Sequence, residues 1–285
     1  MTETIEIAHA DARARIFLRG AELKAWRVGA DDLLWPGDPA SWPDTAPLLF
    51  PVVGWTRDGI RLDGKRYPLG LHGFARTETF RVAALAPDRV TLALSANAHT
   101  QTLFPFRFNL SMDYHITTNE LQCVLHVANE DVRPMPYAVG LHPGFRWPLP
   151  GATGPHAITF EAQESPKIPV IAPGGLFSRE KRAIPLQGRS LALTPDLFTE
   201  ALCFLEANSR SLEFSSGDRR LRMEVENLPH LALWTIPGEK FLCLEAWTGH
   251  GDPEGFDGDL FAKPSMRVLA PNETASHAAT FSWLR

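Results

Sequence analysis

Phe106-Arg-Phe-Asn-Leu-Ser-Met-Asp-Tyr-His-Ile116 and, after four intervening residues, Leu121-Gln-Cys-Val-Leu-His-Val-Ala-Asn129 alternate apolar and polar side chains with period two. That alternation belongs to strands with one face buried and the other wet. Shorter runs of the same kind recur at Ala14–Leu18, Thr79–Leu85, Arg89–Ser95, Leu202–Phe204, Leu212–Phe214, Leu221–Val225, Leu231–Thr235 and Phe241–Leu244. Between Ile60-Arg-Leu62 and Lys65-Arg-Tyr67, Asp63-Gly64 is the dipeptide that a two-residue type I′ hairpin turn demands. Helical evidence is thin, because no window longer than about 10 residues holds a 3.6-residue apolar stripe free of Pro or Gly. At most one turn is expected, at Thr194-Pro-Asp-Leu-Phe198, with Thr194 as N-cap and Pro195 at the first helical position. Many strands and very little helix predict an all-β chain with sheets packed face to face or closed on themselves.

A chain of 285 residues fits one large β domain, so residues 1–285 are read as a single unit. No repeat or low-complexity tract divides it, and Pro148–Pro155 and Pro166–Gly175 read as long surface loops. The net charge of −5 comes without a basic stripe, which argues against nucleic acid and against an anionic membrane surface as partners. Met1-Thr-Glu-Thr-Ile-Glu-Ile7 has neither the basic nor the apolar region of a secretory signal, and no segment is apolar enough for a span, so a cytoplasmic protein is expected. Cys123, Cys203 and Cys243 are odd in number, distant and set in apolar runs, as buried structural thiols are. No metal site is expected from them.

Two titratable groups stand at strand ends. In Tyr137-Ala-Val-Gly-Leu-His142-Pro143 an apolar run delivers one imidazole and a proline stops the ladder. In Phe241-Leu-Cys-Leu-Glu245-Ala-Trp247 the carboxylate shares a face with Phe241, Cys243 and Trp247, an aromatic-lined acid of the kind a sugar site uses. Each alone is equally a satisfied histidine or a solvated glutamate. Gly70-Leu-His72-Gly-Phe-Ala-Arg76 adds a second histidine between glycines and a five-donor guanidinium, and Trp55-Thr-Arg57-Asp-Gly59 adds a further cation in a turn. Together they make a polar set suited to acid/base chemistry.

Pro47-Leu-Leu-Phe-Pro-Val-Val-Gly54, His72-Gly-Phe-Ala-Arg76, Phe104-Pro-Phe106, Pro134-Met-Pro-Tyr-Ala-Val-Gly-Leu-His142-Pro-Gly-Phe145 and Cys243-Leu-Glu245-Ala-Trp247 occur in this order in the aldose 1-epimerases. The chain resembles that family, within the galactose mutarotase-like superfamily and closest to its LacX-type branch. Asp196-Leu-Phe198, Ser209-Arg210 and Trp234-Thr-Ile-Pro237 extend the resemblance over nearly the whole chain. The resemblance implies a β-supersandwich that interconverts the α and β anomers of an aldose with no metal or organic cofactor. It makes His142 the acid, Glu245 the base and His72 an orienting residue; the residues themselves, apart from the resemblance, offer Arg76, Arg57, Trp55 and Trp247 as further sugar contacts. Such chemistry asks for an acid and a base on opposite edges of one ring, held by strands.

Two departures stand out. Trp55 occupies the place where related sequences often carry arginine, leaving Arg57 to take over its contacts. The acidic sugar-binding residue before the cysteine-bearing strand has only Glu200 as its counterpart. The expected partner is a small-molecule sugar, and Arg57, Arg76 and Arg210 would suit a phosphorylated or sulfonated one. A monomer and a homodimer both fit. Competing readings are a non-catalytic carbohydrate-binding sensor and a glycoside hydrolase, though the latter needs two flanking carboxylates.

Overall fold

The computed structural model describes residues 3–285; of the opening segment, residues 1 and 2 lie outside it. The alternation quoted first becomes the centre of a nine-stranded antiparallel sheet. Phe108–Ile116 pairs with Glu120–Asn129 from Phe108↔Asn129 to Ile116↔Leu121, and its odd and even residues alternate strictly between half-buried and buried. Thr274–Leu284 follows on one side, then Arg219–Glu226, Ser211–Ser216, Ala157–Phe160 and Ser190–Ala192, while Arg89–Ser95 and Arg81–Ala86 complete the other side.

A second sheet runs Leu202–Phe204, His230–Trp234, Phe241–Trp247, Gly140–Leu141 and Leu48–Leu49, with Gly144–Arg146 also on Phe241–Trp247. One cluster of buried side chains joins the two layers, with Leu110, Met112, Leu125 and Phe281 from the first and Leu231, Leu233, Leu242 and Leu244 from the second. This is an all-β sandwich. A four-stranded N-terminal sheet, Thr4–His9, Ala12–Phe17, Leu23–Val28 and Asp31–Asp32, packs on the same core. No helix is long and apolar enough to cross a membrane among the described residues.

Phe241–Trp247 is buried on both faces, because each face has its own cover. Leu242, Leu244 and Ala246 enter the main core, whereas Cys243 and Phe241 pack with Trp35, and Trp247 with Leu49, Val53 and Cys203. The period-two division of this strand is thus a division between the core and a separate, aromatic side. Cys123, Cys203 and Cys243 are free and buried.

The hairpin at Asp63-Gly64 forms with both φ angles positive, +51° and +74°, as a type I′ turn requires. Local chemistry elsewhere departs from the sequence reading in three places. Pro166–Gly175 is no loop: Lys167–Ala172 pairs with Leu176–Ala183 in a two-stranded ribbon, its register shifting between Pro169 and Ile171. A bulge on an edge ribbon is where a strand tolerates proline. Ala98–Leu103 is a short α-helix, closed by a capping box in which Asn97 Oδ1 accepts from the Thr100 N–H and Thr100 Oγ1 from the Asn97 N–H, both at 2.9 Å. Pro195–Leu197 makes the expected turn as 3₁₀, but the Thr194 side chain contributes no capping bond.

Candidate active site

His142 and Glu245 meet through strand register. Gly140↔Trp247 and Leu141↔Ala246 are paired on one side of His142-Pro143, and Gly144↔Cys243 on the other. The count is continuous, so His142 stands opposite Glu245 and both project from one face, as direct cross-strand neighbours do. Proline has no N–H for the ladder, and the Leu244 N–H donates instead to the Pro143 carbonyl at 3.1 Å. His142 Nε2 lies 3.2 Å from Glu245 Oε1, with both side chains nearly inaccessible. The Trp247 indole N–H donates to Glu245 Oε2 at 3.0 Å. The two side chains therefore sit side by side, not apart as groups on opposite edges of one ring would.

Burial sets the electrostatics. It pushes the Glu245 carboxyl up to about 8, opposed by the Trp247 hydrogen bond, and the His142 imidazole down to about 4. The pair thus shares one proton across the neutral range, and that proton belongs to the pair rather than to either residue.

His72 is held at φ +61°, in the left-handed region that non-glycine residues rarely adopt. The Gly54 N–H donates to its Nδ1 at 3.0 Å and the His72 N–H donates to the Gly54 carbonyl, also at 3.0 Å. With Nδ1 accepting, the ring proton sits on Nε2. Burial, the nearby His142 and then Arg76 hold the His72 pKa well below the usual imidazole value, so His72 is a neutral donor. Its ring centroid is 5.5 Å from that of His142.

The wall over this pair is aromatic. Trp42 and Trp234 approach the His142 ring at 5.4 and 5.6 Å, and Trp42 stacks on Phe241 at 4.8 Å. Trp42 reaches this position on a loop between Trp35 and Pro47. Glu22 Oε1 accepts from the Thr45 and Ala46 N–H groups at 2.6 and 3.1 Å, Arg76 pairs with Asp44 at 3.1 Å, and the Trp35 indole donates to the Trp42 carbonyl. Gly144 is required beneath it, since a Cβ there would lie 2.6 Å from Trp42 Cζ3. Sequence reading passed over Trp42; the available signal was a large aromatic inside a Pro- and Asp-rich loop.

These residues line a cavity of about 880 Å³. It is lined by His142, Glu245, His72, Arg76, Trp55 and Trp247, which the sequence had singled out, together with Glu200. Arg57 is not in the lining; its backbone N–H is held by Asp252 Oδ2 at 2.7 Å. Arg210 is also elsewhere, donating to the carbonyls of Ala207 and Ser209. Arg19, exposed and unremarked in the sequence, does line the cavity. Glu200 is engaged twice, accepting from the Ile171 N–H at 2.7 Å and pairing with Arg182.

A model of the family described as aldose 1-epimerase matches residues 3–282. The chain belongs to the aldose 1-epimerase family. It is 29% identical to the chromosomal LacX protein of Lactococcus lactis subsp. lactis over 259 residues, 86% of this chain and 87% of that one. Among solved structures, a galactose mutarotase-like protein from Lactobacillus casei is 29% identical with a TM-score of 0.92, covering 99% of this chain and all of the other. A galactose mutarotase related enzyme from Lactobacillus acidophilus is 25% identical with a TM-score of 0.90, covering 99% and 98%. Within the aldose 1-epimerase family this chain thus sits beside proteins carrying the galactose mutarotase fold.

Proposed function

We propose that this protein is a mutarotase, interconverting the α and β anomers of an aldose, with Glu245 and His142 as its base and acid and His72 as an orienting donor. The observation that carries the reading is the 3.2 Å approach of His142 Nε2 to Glu245 Oε1 on the floor of a tryptophan-walled cavity.

The anomeric oxygen and the ring oxygen are both bonded to C1, so adjacent groups reach both. Once the shared proton has passed from Glu245 to His142 across their 3.2 Å contact, the Glu245 carboxylate takes the proton of the anomeric hydroxyl; the electrons of that O–H bond form the C1=O bond, the C1–O5 bond breaks, and O5 takes the proton of the His142 imidazolium. The open-chain aldehyde rotates about C1–C2. O5–H then attacks the other face of C1, returning its proton to His142 while Glu245 reprotonates the new anomeric oxygen. No atom is gained or lost and the pair ends with the single proton it began with. The neutral Nε2–H of His72 serves as a donor to a sugar oxygen, and the tryptophan faces suit the C–H surface of the ring. Hydrolysis fits less well, because the other carboxylates of the cavity, Glu22, Asp44 and Glu200, are each paired with a cation.

Anomer exchange followed by saturation-transfer NMR tests the proposal, with glucose, galactose, glucose 6-phosphate and a 6-sulfonated glucose. The expected result is exchange faster than the spontaneous rate for at least one. Binding without acceleration of any would identify a carbohydrate sensor instead.

A further inference from the structure

Trp55 is a large aromatic left 45% exposed at a cavity to which it belongs. Its position is built rather than incidental. One side of the indole lies against Gly175, where a Cβ would come within 1.9 Å of Trp55 Cδ1 and where φ is +75°, so only glycine lets the ring lie there. The backbone beneath is pinned: the Trp55 carbonyl accepts from the Asp252 N–H at 2.9 Å, Asp252 Oδ2 accepts from the Arg57 N–H, and the Asp252 carbonyl accepts from the Phe177 N–H. Asp252 is itself buried and paired with the buried Lys263 at 2.9 Å. Trp55 follows Gly54, whose N–H fixes the His72 ring. A half-exposed indole, backed by Gly175 and set on a hydrogen-bonded backbone, therefore stands one residue beyond Gly54.

The cavity has room to use it. About 880 Å³ lies near the top of the range of about 300–1,000 Å³ that holds drug-sized ligands, and a single pyranose is far smaller. The ring beside His142 and Glu245 already has Trp42, Trp234 and Trp247 around it. The ribbon that carries Gly175 also binds Glu200, through Ile171 and Arg182, which puts a carboxylate acceptor for hydroxyls on the Trp55 side.

We infer that the substrate is a reducing sugar of two or more residues, with its reducing-end ring at His142 and Glu245 and the next ring stacked on Trp55. The inference rests on the mutarotase reading for the first ring and adds a second subsite. The pinned backbone and the contact with Gly175 reduce the freedom that Trp55 loses on binding, which is how a preorganised platform gains affinity.

The test measures kcat/KM for anomer exchange, and binding by calorimetry, with glucose, galactose, glucose 6-phosphate, maltose, cellobiose and lactose. It compares the wild type with Trp55→Ala and Trp55→Phe. The expected wild type prefers at least one disaccharide over the monosaccharide at its reducing end. In Trp55→Ala that preference falls by about tenfold, mainly through KM, and Trp55→Phe restores most of it. A wild type with no disaccharide preference, or a preference unchanged in Trp55→Ala, would overturn the inference, as would phosphorylated glucose being turned over faster than every disaccharide. If no sugar is exchanged at all, the mutarotase reading fails and calorimetry alone decides the subsite. Disaccharide binding that weakens in Trp55→Ala upholds it; absent or unweakened binding overturns it.

Discussion

The Trp247 indole N–H donates to Oε2 of Glu245 at 3.0 Å, two residues along the same strand face. The bond favours the charged carboxylate while burial favours the neutral acid, and burial prevails, holding the group at about 8.

Replacing Trp247 by Phe keeps an aromatic ring and removes the donor. The Glu245 pKa then rises further, and the alkaline limb of the pH–rate profile moves upward. A limb that stays in place in this variant would show that it belongs to another group.

His142→Ala and Glu245→Gln are each expected to lower the anomer-exchange rate by about 10²–10⁴-fold, the usual range for losing one general acid or base. Circular dichroism should be unchanged. Turnover like that of the wild type in either variant would remove that residue from the mechanism.

On the mutarotase proposal the pair works with one shared proton, so kcat/KM should be bell-shaped in pH. Activity is lost below about 4, where His142 takes a second proton into the pair, and above about 8, where Glu245 gives up the last. An acid limb near the ordinary imidazole value would show that burial does not set the His142 pKa.

Stability should carry the same signature. The folded-state pKa of Glu245 is raised from 4.5 to about 8, so the folded chain holds more protons than the unfolded one between those values. Its contribution is fully present below about 4.5 and is lost as pH rises toward 8. His142, lowered from 6.5 to about 4, works in the opposite sense between those values. Urea titrations from pH 5 to 9 should show the wild type losing ground to Glu245→Gln as pH rises; parallel curves would contradict it.

Asp252→Ala leaves the buried Lys263 ammonium without its partner and frees the Arg57 N–H. Breaking a buried pair from one side costs about 3–5 kcal/mol, so the urea midpoint should fall sharply. A shift below about 1 kcal/mol would contradict it and would mean that Lys263, whose pKa burial already lowers, gives up its proton instead of remaining charged.

Much of the fold was legible because period-two alternation follows directly from which face of a strand meets water. Phe106–Ile116 and Leu121–Asn129 read as a pair of strands and are one. The strand Phe241–Trp247 even disclosed which residues share the Glu245 face. Where alternation was broken, the reading failed. Pro169 and the paired glycines 174 and 175 hid a ribbon that a bulge rescues, and the helix Ala98–Leu103 is too short for an apolar stripe, leaving only Asn97 and Thr100 to announce it. Trp42 sits in a loop with no period at all, and its place over His142 depends on Glu22, Arg76 and Gly144 holding that loop down.

By itself, the sequence determined the all-β class, the two faces of the Glu245 strand and the chemical types that converge: an imidazole stopped by proline, a carboxylate beside tryptophan and a histidine among glycines. These are local properties of backbone stereochemistry and burial, carried by adjacent residues. Only the tertiary structure decided that His142 stands opposite Glu245, that Arg57 and Arg210 lie outside the cavity, and that Trp55 is pinned at its mouth. Those outcomes depend on strand register and loop packing between segments distant in the chain, where a shift of one residue would turn a side chain to the opposite face.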